Sequence, residues 1–431
     1  MSEIVIIGGG LAGLTAAYRL AEDHQVTLIE QDKLLGGMLK SYHIEDYYIE
    51  KFYHHFFAGD TELLDLIEEL DLSEHVLWLT GTTGYYWEGR AYPMSTPFEI
   101  LRFPPLSIID IIRLSLLVLR TKFIKNIRSY DNITAKEWIL KTGGKGVYDN
   151  FFQPLVQSKF GQNADRVSAA WLLGRVKIRS NRGTHGEKLG YLNPGFQILV
   201  EALAQSIQEK GGRIIRGNQA ESIIIKSGKV TGVKLINGTI SCNKVISTVA
   251  PGVLKELIDP KVIKSDLDSI QYQGTCCAIL GMTKPLMKDK TYWLNINADV
   301  SFGALIEHTN FVPKKNYGDQ HLIYIASYFQ NSNDPLFTES PDKVIEMFLK
   351  DIESLYPDFN RNSVIWWRLA RDSQTAPVYD IGYADKVLPY ETNIKGLYLA
   401  GMFSQANYPE RSMNGSIKAG FEVADAAARN M

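Results

Sequence analysis

Ile4-Val5-Ile6-Ile7-Gly8-Gly9-Gly10-Leu11-Ala12-Gly13-Leu14-Thr15-Ala16-Ala17-Tyr18-Arg19-Leu20 opens on four apolar residues, turns on glycines and continues with helical character. The apolar run predicts a strand buried on both faces of a parallel sheet. Val26-Thr27-Leu28-Ile29-Glu30 predicts a second strand that ends on a carboxylate. Strand, glycine turn, helix, strand, acid is the order of a dinucleotide-binding unit. Gly8 permits the tight turn, Gly10 lets a pyrophosphate approach the backbone, and Gly13 lets the helix pack close to the strand. The helix start at Leu11 and Ala12 offers free N–H groups and the positive end of a helix dipole to phosphates. Glu30, 17 residues after Gly13, stands where an acid accepts hydrogen bonds from a ribose. A glycine turn without a ligand is the alternative, and the agreement of strand, helix and acid weighs against it.

The chain has 431 residues, enough for two or three domains and a large core. Hydrophobic residues make up 45% and charged residues 22%, which excludes wholesale disorder and a collagen-like chain. A formal net charge of -2 argues against a nucleic-acid binder. Cys242, Cys276 and Cys277 are an odd, sparse set without CxxC spacing, so neither a disulfide framework nor a metal site is expected. A reducing, cytoplasmic setting fits. No basic region precedes the first strand, so no signal peptide is expected. The longest apolar stretch, Leu106 to Leu119, is interrupted by Asp110 and Arg113 and falls short of the roughly 18 residues of a membrane span.

Leu34-Leu35-Gly36-Gly37-Met38-Leu39-Lys40-Ser41 follows the acid, and its glycine pair suggests a second close approach of backbone to a cofactor. Here the sequence resembles the flavin amine oxidase, protoporphyrinogen oxidase and phytoene desaturase superfamily, to which UDP-galactopyranose mutase is also similar. The resemblance implies FAD. In that superfamily the acid is followed by Gly-Gly-Arg; here Met38 replaces the arginine, and Lys40 is expected to supply the charge. Asn193-Pro194-Gly195-Phe196-Gln197, a helix from Ile198 to Lys210 and the strand Arg213-Ile214-Ile215 look like the family's return to the FAD domain. Ala220 matches the position whose backbone holds the adenine. Gly396-Leu397-Tyr398-Leu399-Ala400-Gly401-Met402 resembles the last strand, with Met402 in place of an acid. Met413, Asn414 and Gly415 open a helix whose N-terminus, by resemblance, faces the flavin N1/O2 edge. No cysteine lies in that segment, so FAD is expected to be held without a covalent bond.

The fold expected is α/β. A discontinuous Rossmann-like FAD domain takes residues 1–75, 190–260 and 385–431, and an inserted α+β substrate domain takes 76–189 and 261–384. Residues 95–180 read as mostly helical, with Thr134 and Glu137 as a capping box. There is no second GxGxxG, so no separate nicotinamide domain is expected.

Candidate active-site residues lie in four places. His54 and His55, in Glu50-Lys51-Phe52-Tyr53-His54-His55-Phe56-Phe57, could orient a substrate or move a proton; packing under aromatics is the alternative. His308 and Asn310, in Glu307-His308-Thr309-Asn310, follow an apolar run where catalytic groups are often placed; a plain loop is the alternative. Arg175-Val176-Lys177-Ile178-Arg179, followed by Arg182, His185 and Lys188, reads as a phosphate clamp or a solvated face, with Arg175 and Arg179 as substrate contacts. Arg371 and Tyr379 match segments that line the cavity in the resembling family.

Ile109, Ile112, Leu116, Leu119 and Phe123 share one helical face within a stretch, Arg102 to Arg128, that holds six basic residues and one acid. This predicts either a core helix or a membrane-surface helix. The expected function is an FAD-dependent oxidoreductase that moves hydride from a small substrate, lipophilic or phosphorylated, to flavin N5. Lys51 to Phe57 and Glu307 to Phe311 look most like protoporphyrinogen-oxidase-like members. One alternative is a redox-neutral mutase of a nucleotide sugar; another is a flavin-bound scaffold. The placement expected is cytoplasmic, peripheral at the inner membrane face through residues 106–124.

Overall fold

The computed structural model describes residues 3–179 and 187–429. Five parallel strands form one sheet in the order Leu397–Leu399, Lys244–Ser247, Glu3–Ile7, Gln25–Glu30 and Arg213–Arg216. The strand Glu3–Ile7 lies at its centre, with Ile4 opposite both Val26 and Lys244. Strand side chains alternate, so Ile4 and Ile6 enter one core while Val5 and Ile7 enter another. On the first face pack the helices Leu11–Leu20, Gln197–Glu209 and Met413–Arg429. On the second lies an antiparallel meander of Ala220–Lys226, Lys229–Leu235 and Gly238–Ser241. This three-layer α/β unit is the Rossmann-like fold expected.

A seven-stranded sheet forms the second body. Its order is Val364–Pro377, Tyr272–Met282, His321–Phe329, Ala304–Glu307, Trp293–Ile296, Thr83–Trp87 and Arg90–Pro93. Only the pair Trp293–Ile296 and Thr83–Trp87 is parallel. Cys276 and Cys277 sit back to back in the strand Tyr272–Met282. Cys276 faces the helix Pro341–Leu355, and Cys277 faces the core shared with the first sheet. Both are buried free thiols.

Five helices, Pro97–Leu101, Ile108–Phe123, Ala135–Thr142, Gln153–Phe160 and Ala169–Arg179, carry most of residues 95–180. Thr134 caps its helix as expected: Oγ1 accepts the Glu137 N–H at 3.1 Å, and the Glu137 carboxylate accepts the Thr134 N–H at 3.0 Å. In the ribbon of Val76–Gly81 paired with Glu187–Leu192, the second strand crosses the boundary drawn at 189/190. Its Leu189, Tyr191 and Leu192 are buried in the core of the first body, so this ribbon binds the two bodies together.

The helix Ile108–Phe123 is two-faced. Ile111, Leu114, Leu117 and Thr121 are buried. The face read from the sequence points to solvent instead: Ile109 is 62% exposed, Ile112 54% and Phe123 76%. The core-helix reading therefore fails for that face. Among the described residues no helix is long and apolar enough to cross a membrane.

Candidate active site

A cavity of about 1520 Å³ runs from the glycine turns of the first body to the seven-stranded sheet of the second. Gly8 turns at φ +110°, and Gly36 at φ +111°, values that side chains resist. The two glycine turns are tied together, since the Gly36 N–H donates to Gly9 O at 2.7 Å. Gly10 and Gly13 differ sharply. A Cβ on Gly13 would lie 1.9 Å from Gly8 O, so Gly13 serves close packing. A Cβ on Gly10 would meet only Gly37 Cα, at 3.8 Å, and would fill space in the cavity. The helix Leu11–Leu20 begins beside that space with no side-chain cap and no acid in its first turn. Its Leu11 and Ala12, both in the cavity wall, leave first-turn N–H groups for an anion. This cradle fits a dinucleotide pyrophosphate.

Glu30 also lines the cavity. One of its oxygens accepts the Gly9 N–H at 2.7 Å; the other accepts the Asp32 N–H at 3.0 Å and the Lys40 ammonium at 3.3 Å. Lys40 lies 3.0 Å from Asp32 as well. Lys40, itself in the cavity wall, thus shares its charge between two carboxylates, the acid Glu30 and Asp32. Gly37, Ala220, Gly401, Met402 and Met413 line the same wall. Asn414 and Gly415 do not. The Asn414 Oδ1 accepts the Leu63 N–H at 3.0 Å, and a Cβ on Gly415 would lie 2.4 Å from Asn407 Oδ1. Both serve helix packing.

Beyond the cradle the cavity widens among aromatic and charged side chains. His54 Nδ1 lies 2.6 Å from Phe52 O; a carbonyl only accepts, so Nδ1 carries the proton and Nε2 holds the lone pair. Burial pushes this imidazole down to about 4, so it is neutral at pH 7. His55 Nδ1 lies 3.2 Å from the Tyr292 hydroxyl, and the Tyr53 and Tyr328 hydroxyls are 3.4 Å apart. His54, His55, Tyr53 and Tyr328 all belong to the wall.

Glu410 stands in the same wall between Lys159 and Arg175. It pairs with the Lys159 ammonium and, at 3.1 Å, with the Arg175 guanidinium. Burial pushes the Glu410 carboxyl up, but the two cations pull it further the other way and hold it at about 2. Arg411 follows, its backbone N–H donating to the Tyr379 hydroxyl at 2.7 Å.

Several expected contacts lie elsewhere. His308 is buried behind the wall, its Nε2 2.7 Å from the Tyr317 hydroxyl. Tyr317 donates onward to Tyr191 and Tyr191 to Glu50, so His308 is the donor into a buried chain. Burial pushes it down to about 3. Asn310 donates to Met287 O at 3.1 Å and Thr291 O at 2.8 Å, holding a loop. Tyr379 is 1% exposed and acts through Arg411 from behind. Arg371 does line the cavity, yet it donates to Leu336 O at 3.2 Å and Glu339 O at 2.7 Å. Of the basic run, Arg175 reaches the wall, while Lys177 donates to Ile124 O at 2.9 Å on the neighbouring helix. The Arg179 side chain, with Arg182 and His185, lies outside the described residues. Lys188 is exposed.

The family model for flavin containing amine oxidoreductases matches residues 11–428. The chain belongs to the flavin-containing amine oxidoreductases. As a member of this family it is an FAD-dependent oxidoreductase. It is 22% identical to the zeta-carotene desaturase of Synechocystis sp., over 99% of this chain and 97% of that one. Its fold matches a candidate protoporphyrinogen oxidase from Exiguobacterium sp. 255-15 with TM-score 0.79 and 20% identity, over 100% of this chain and 99% of that one. It also matches reduced UDP-galactopyranose mutase with TM-score 0.76 and 18% identity, over 100% and 96%. In this flavin-containing amine oxidoreductase, Lys159, Glu410 and Arg411 are wall residues that sequence reasoning passed over. A lysine between Ser158 and the aromatic Phe160, and an acid directly before the helix-opening Arg411, were the signals available.

Proposed function

We propose that the protein oxidises a C–H bond of a lipophilic or anionic small molecule, with FAD held non-covalently in the glycine cradle. The observation that carries this reading is the single cavity: the pyrophosphate cradle opens without a break into a chamber walled by Tyr53, His54, His55 and Trp293. Bound FAD supplies the acceptor for hydride at N5, and oxygen or a quinone takes the electrons away. The chain supplies the rest. Tyr53, Tyr328 and Trp293 present apolar faces against which a substrate lies flat. His54, neutral and with its Nε2 lone pair unprotonated, orients the substrate by accepting a hydrogen bond from it. The redox-neutral mutase reading is not favoured, because the curated relatives that span the chain are carotene desaturases.

The helix Ile108–Phe123 is read as a membrane-surface element at the inner leaflet. Its exposed apolar face is flanked by Arg113, Arg120, Lys122 and Lys125, which match an anionic lipid surface. From their inner sides Val118 of this helix and Ile100 of the helix Pro97–Leu101 line the cavity, giving a lipophilic substrate a short route in. The test is spectroscopic. Purified protein shows a flavin spectrum, dithionite bleaches it, and one of protoporphyrinogen, a carotene or a polyamine bleaches it anaerobically. A colourless protein that takes up no FAD refutes the reading.

A further inference from the structure

We propose that the chamber holds a subsite for an anionic group of the substrate, a carboxylate or a phosphate, built on Arg411 with Lys159 and Arg175. This deepens the flavoenzyme reading above and rests on it. Three cationic side chains share one carboxylate in this wall: Glu410 is taken by Lys159 and Arg175, and Arg411 is left over. Among the described residues the Arg411 guanidinium forms no ion pair, and its Nε is buried with no hydrogen-bond partner. A buried guanidinium N–H without an acceptor is costly, and a bound ligand is the ordinary way such a donor is satisfied.

Two neighbours point the same way. The Tyr272 hydroxyl, close enough to Arg411 to feel its charge, is buried without a partner. Trp171 Nε1 is likewise unpartnered, and the Trp171 ring lies 4.9 Å from the Lys159 ammonium. Both residues line the cavity. A guanidinium, a phenol and an indole N–H are all donors, and together they suit an acceptor-rich anion. Arg411 is also fixed in place, because Tyr379 holds its backbone from behind. Toward Val118 and Ile100 the wall is mostly apolar, with Met94, Phe151, Phe152 and Leu155, so the ligand is an amphiphile with its anion at the inner end. A neutral carotene has nothing to offer this cluster.

The test uses the holoenzyme and three probes of equal chain length: decanoate, decyl phosphate and decanol. Each is titrated while the flavin visible spectrum and the intrinsic tryptophan fluorescence, to which Trp171 and Trp293 in the wall contribute, are followed. At least one anion should bind about tenfold or more tighter than decanol, as a charge-assisted hydrogen bond requires. The better anion names the source. Arg411→Gln should abolish that preference while keeping its FAD and its dithionite-bleachable spectrum, and Arg411→Lys should restore part of it. Equal binding of all three probes, or an Arg411→Gln variant that keeps the preference, overturns the proposal. So does an Arg411→Gln variant that folds but no longer holds FAD, because Arg411 then serves the cofactor. If the parent protein takes up no flavin, the flavoenzyme reading fails separately, and tryptophan fluorescence still reports the anion preference.

Discussion

Gly10 and Gly13 differ by three positions and should fail in opposite ways when each gains one methyl group. Gly10 has φ -79° and ψ 178°, an extended conformation that alanine adopts freely. Its new methyl would touch the chain only at Gly37 Cα, 3.8 Å away, an ordinary contact. Gly10→Ala should therefore leave the stability of the flavin-free protein within about 0.5 kcal/mol of the parent. The methyl stands in the cradle, however, where the pyrophosphate must approach. An intruding methyl in a close-packed site costs about 1–3 kcal/mol, which is roughly 5- to 150-fold in FAD affinity. Gly13→Ala places its methyl 1.9 Å from Gly8 O and 3.0 Å from Thr248 Oγ1. A comfortable carbon–oxygen contact is about 3.4 Å, so the helix or the turn must move by more than 1 Å. That strain outweighs the ~1 kcal/mol that alanine gains over glycine in a helix, and we expect a net loss of about 2 kcal/mol in the flavin-free protein. Urea unfolding of the apoproteins and FAD titration of each give the two numbers. A Gly10→Ala protein that binds FAD as tightly as the parent would refute the assignment of the cradle. Equal apoprotein stabilities for the two variants would refute the packing argument for Gly13.

Glu307 is fully buried, and burial raises its carboxyl to about 7, against 4.5 in the unfolded chain, although the Leu286 and Met287 N–H groups partly oppose this. Because the folded value is the higher one, the native state holds the proton, and stability falls as pH rises from 4.5 to 7. The shift is worth on the order of 3 kcal/mol. Glu307→Gln should remove that slope, and urea unfolding of parent and variant at pH 4.5 and pH 8 would show the gap between them change by that amount. Glu410→Gln leaves Lys159 and Arg175 facing one another without their carboxylate, and chemical unfolding should register a loss of about 3 kcal/mol. The double change Ile112→Glu and Phe123→Glu alters residues 54% and 76% exposed, so the thermal midpoint should hold. Co-sedimentation with phosphatidylserine vesicles should drop several-fold; unchanged sedimentation would remove the membrane helix from the account.

The nucleotide half of the site could be read from the sequence because its chemistry is local. A strand, a glycine turn and a helix start are contiguous residues, so Gly8 at the turn, Gly13 in close packing, and Gly10 and Glu30 in the cavity wall stand where the spacing puts them. The substrate half is assembled across long gaps. Lys159 meets Glu410 over 251 positions, and no local pattern announces such a pair. His308 misled for a related reason. A polar cluster at a strand end looks the same in sequence whether it faces a cavity or a buried tyrosine, and here Tyr317 and Tyr191 lie in front of it. The alternation in Arg175 to Arg179 suggested a single basic face. On a helix, alternate residues point apart, and Lys177 went to the neighbouring helix. Nor could the sequence show that Lys40 shares its charge between Glu30 and Asp32, a pairing set by how the loop after the second strand folds back.

The strand order of the parallel sheet also constrains how the protein is made. Glu3–Ile7, at the sheet's centre, pairs on one side with Lys244–Ser247, and that strand in turn pairs with Leu397–Leu399. Translation at about 5–20 residues per second separates the first strand from the last by roughly 20–80 s. For roughly the first 12–48 s of it the nascent chain carries Ile4, Val5 and Ile6 on an open sheet edge, until Lys244–Ser247 arrives, and the outer edge of that strand then waits for Leu397–Leu399 while most of the seven-stranded sheet emerges. The nucleotide fold is thus begun first and closed last. Until then its apolar edges are open templates for wrong strand pairing, so the speed of the later chain bears on how much of it folds.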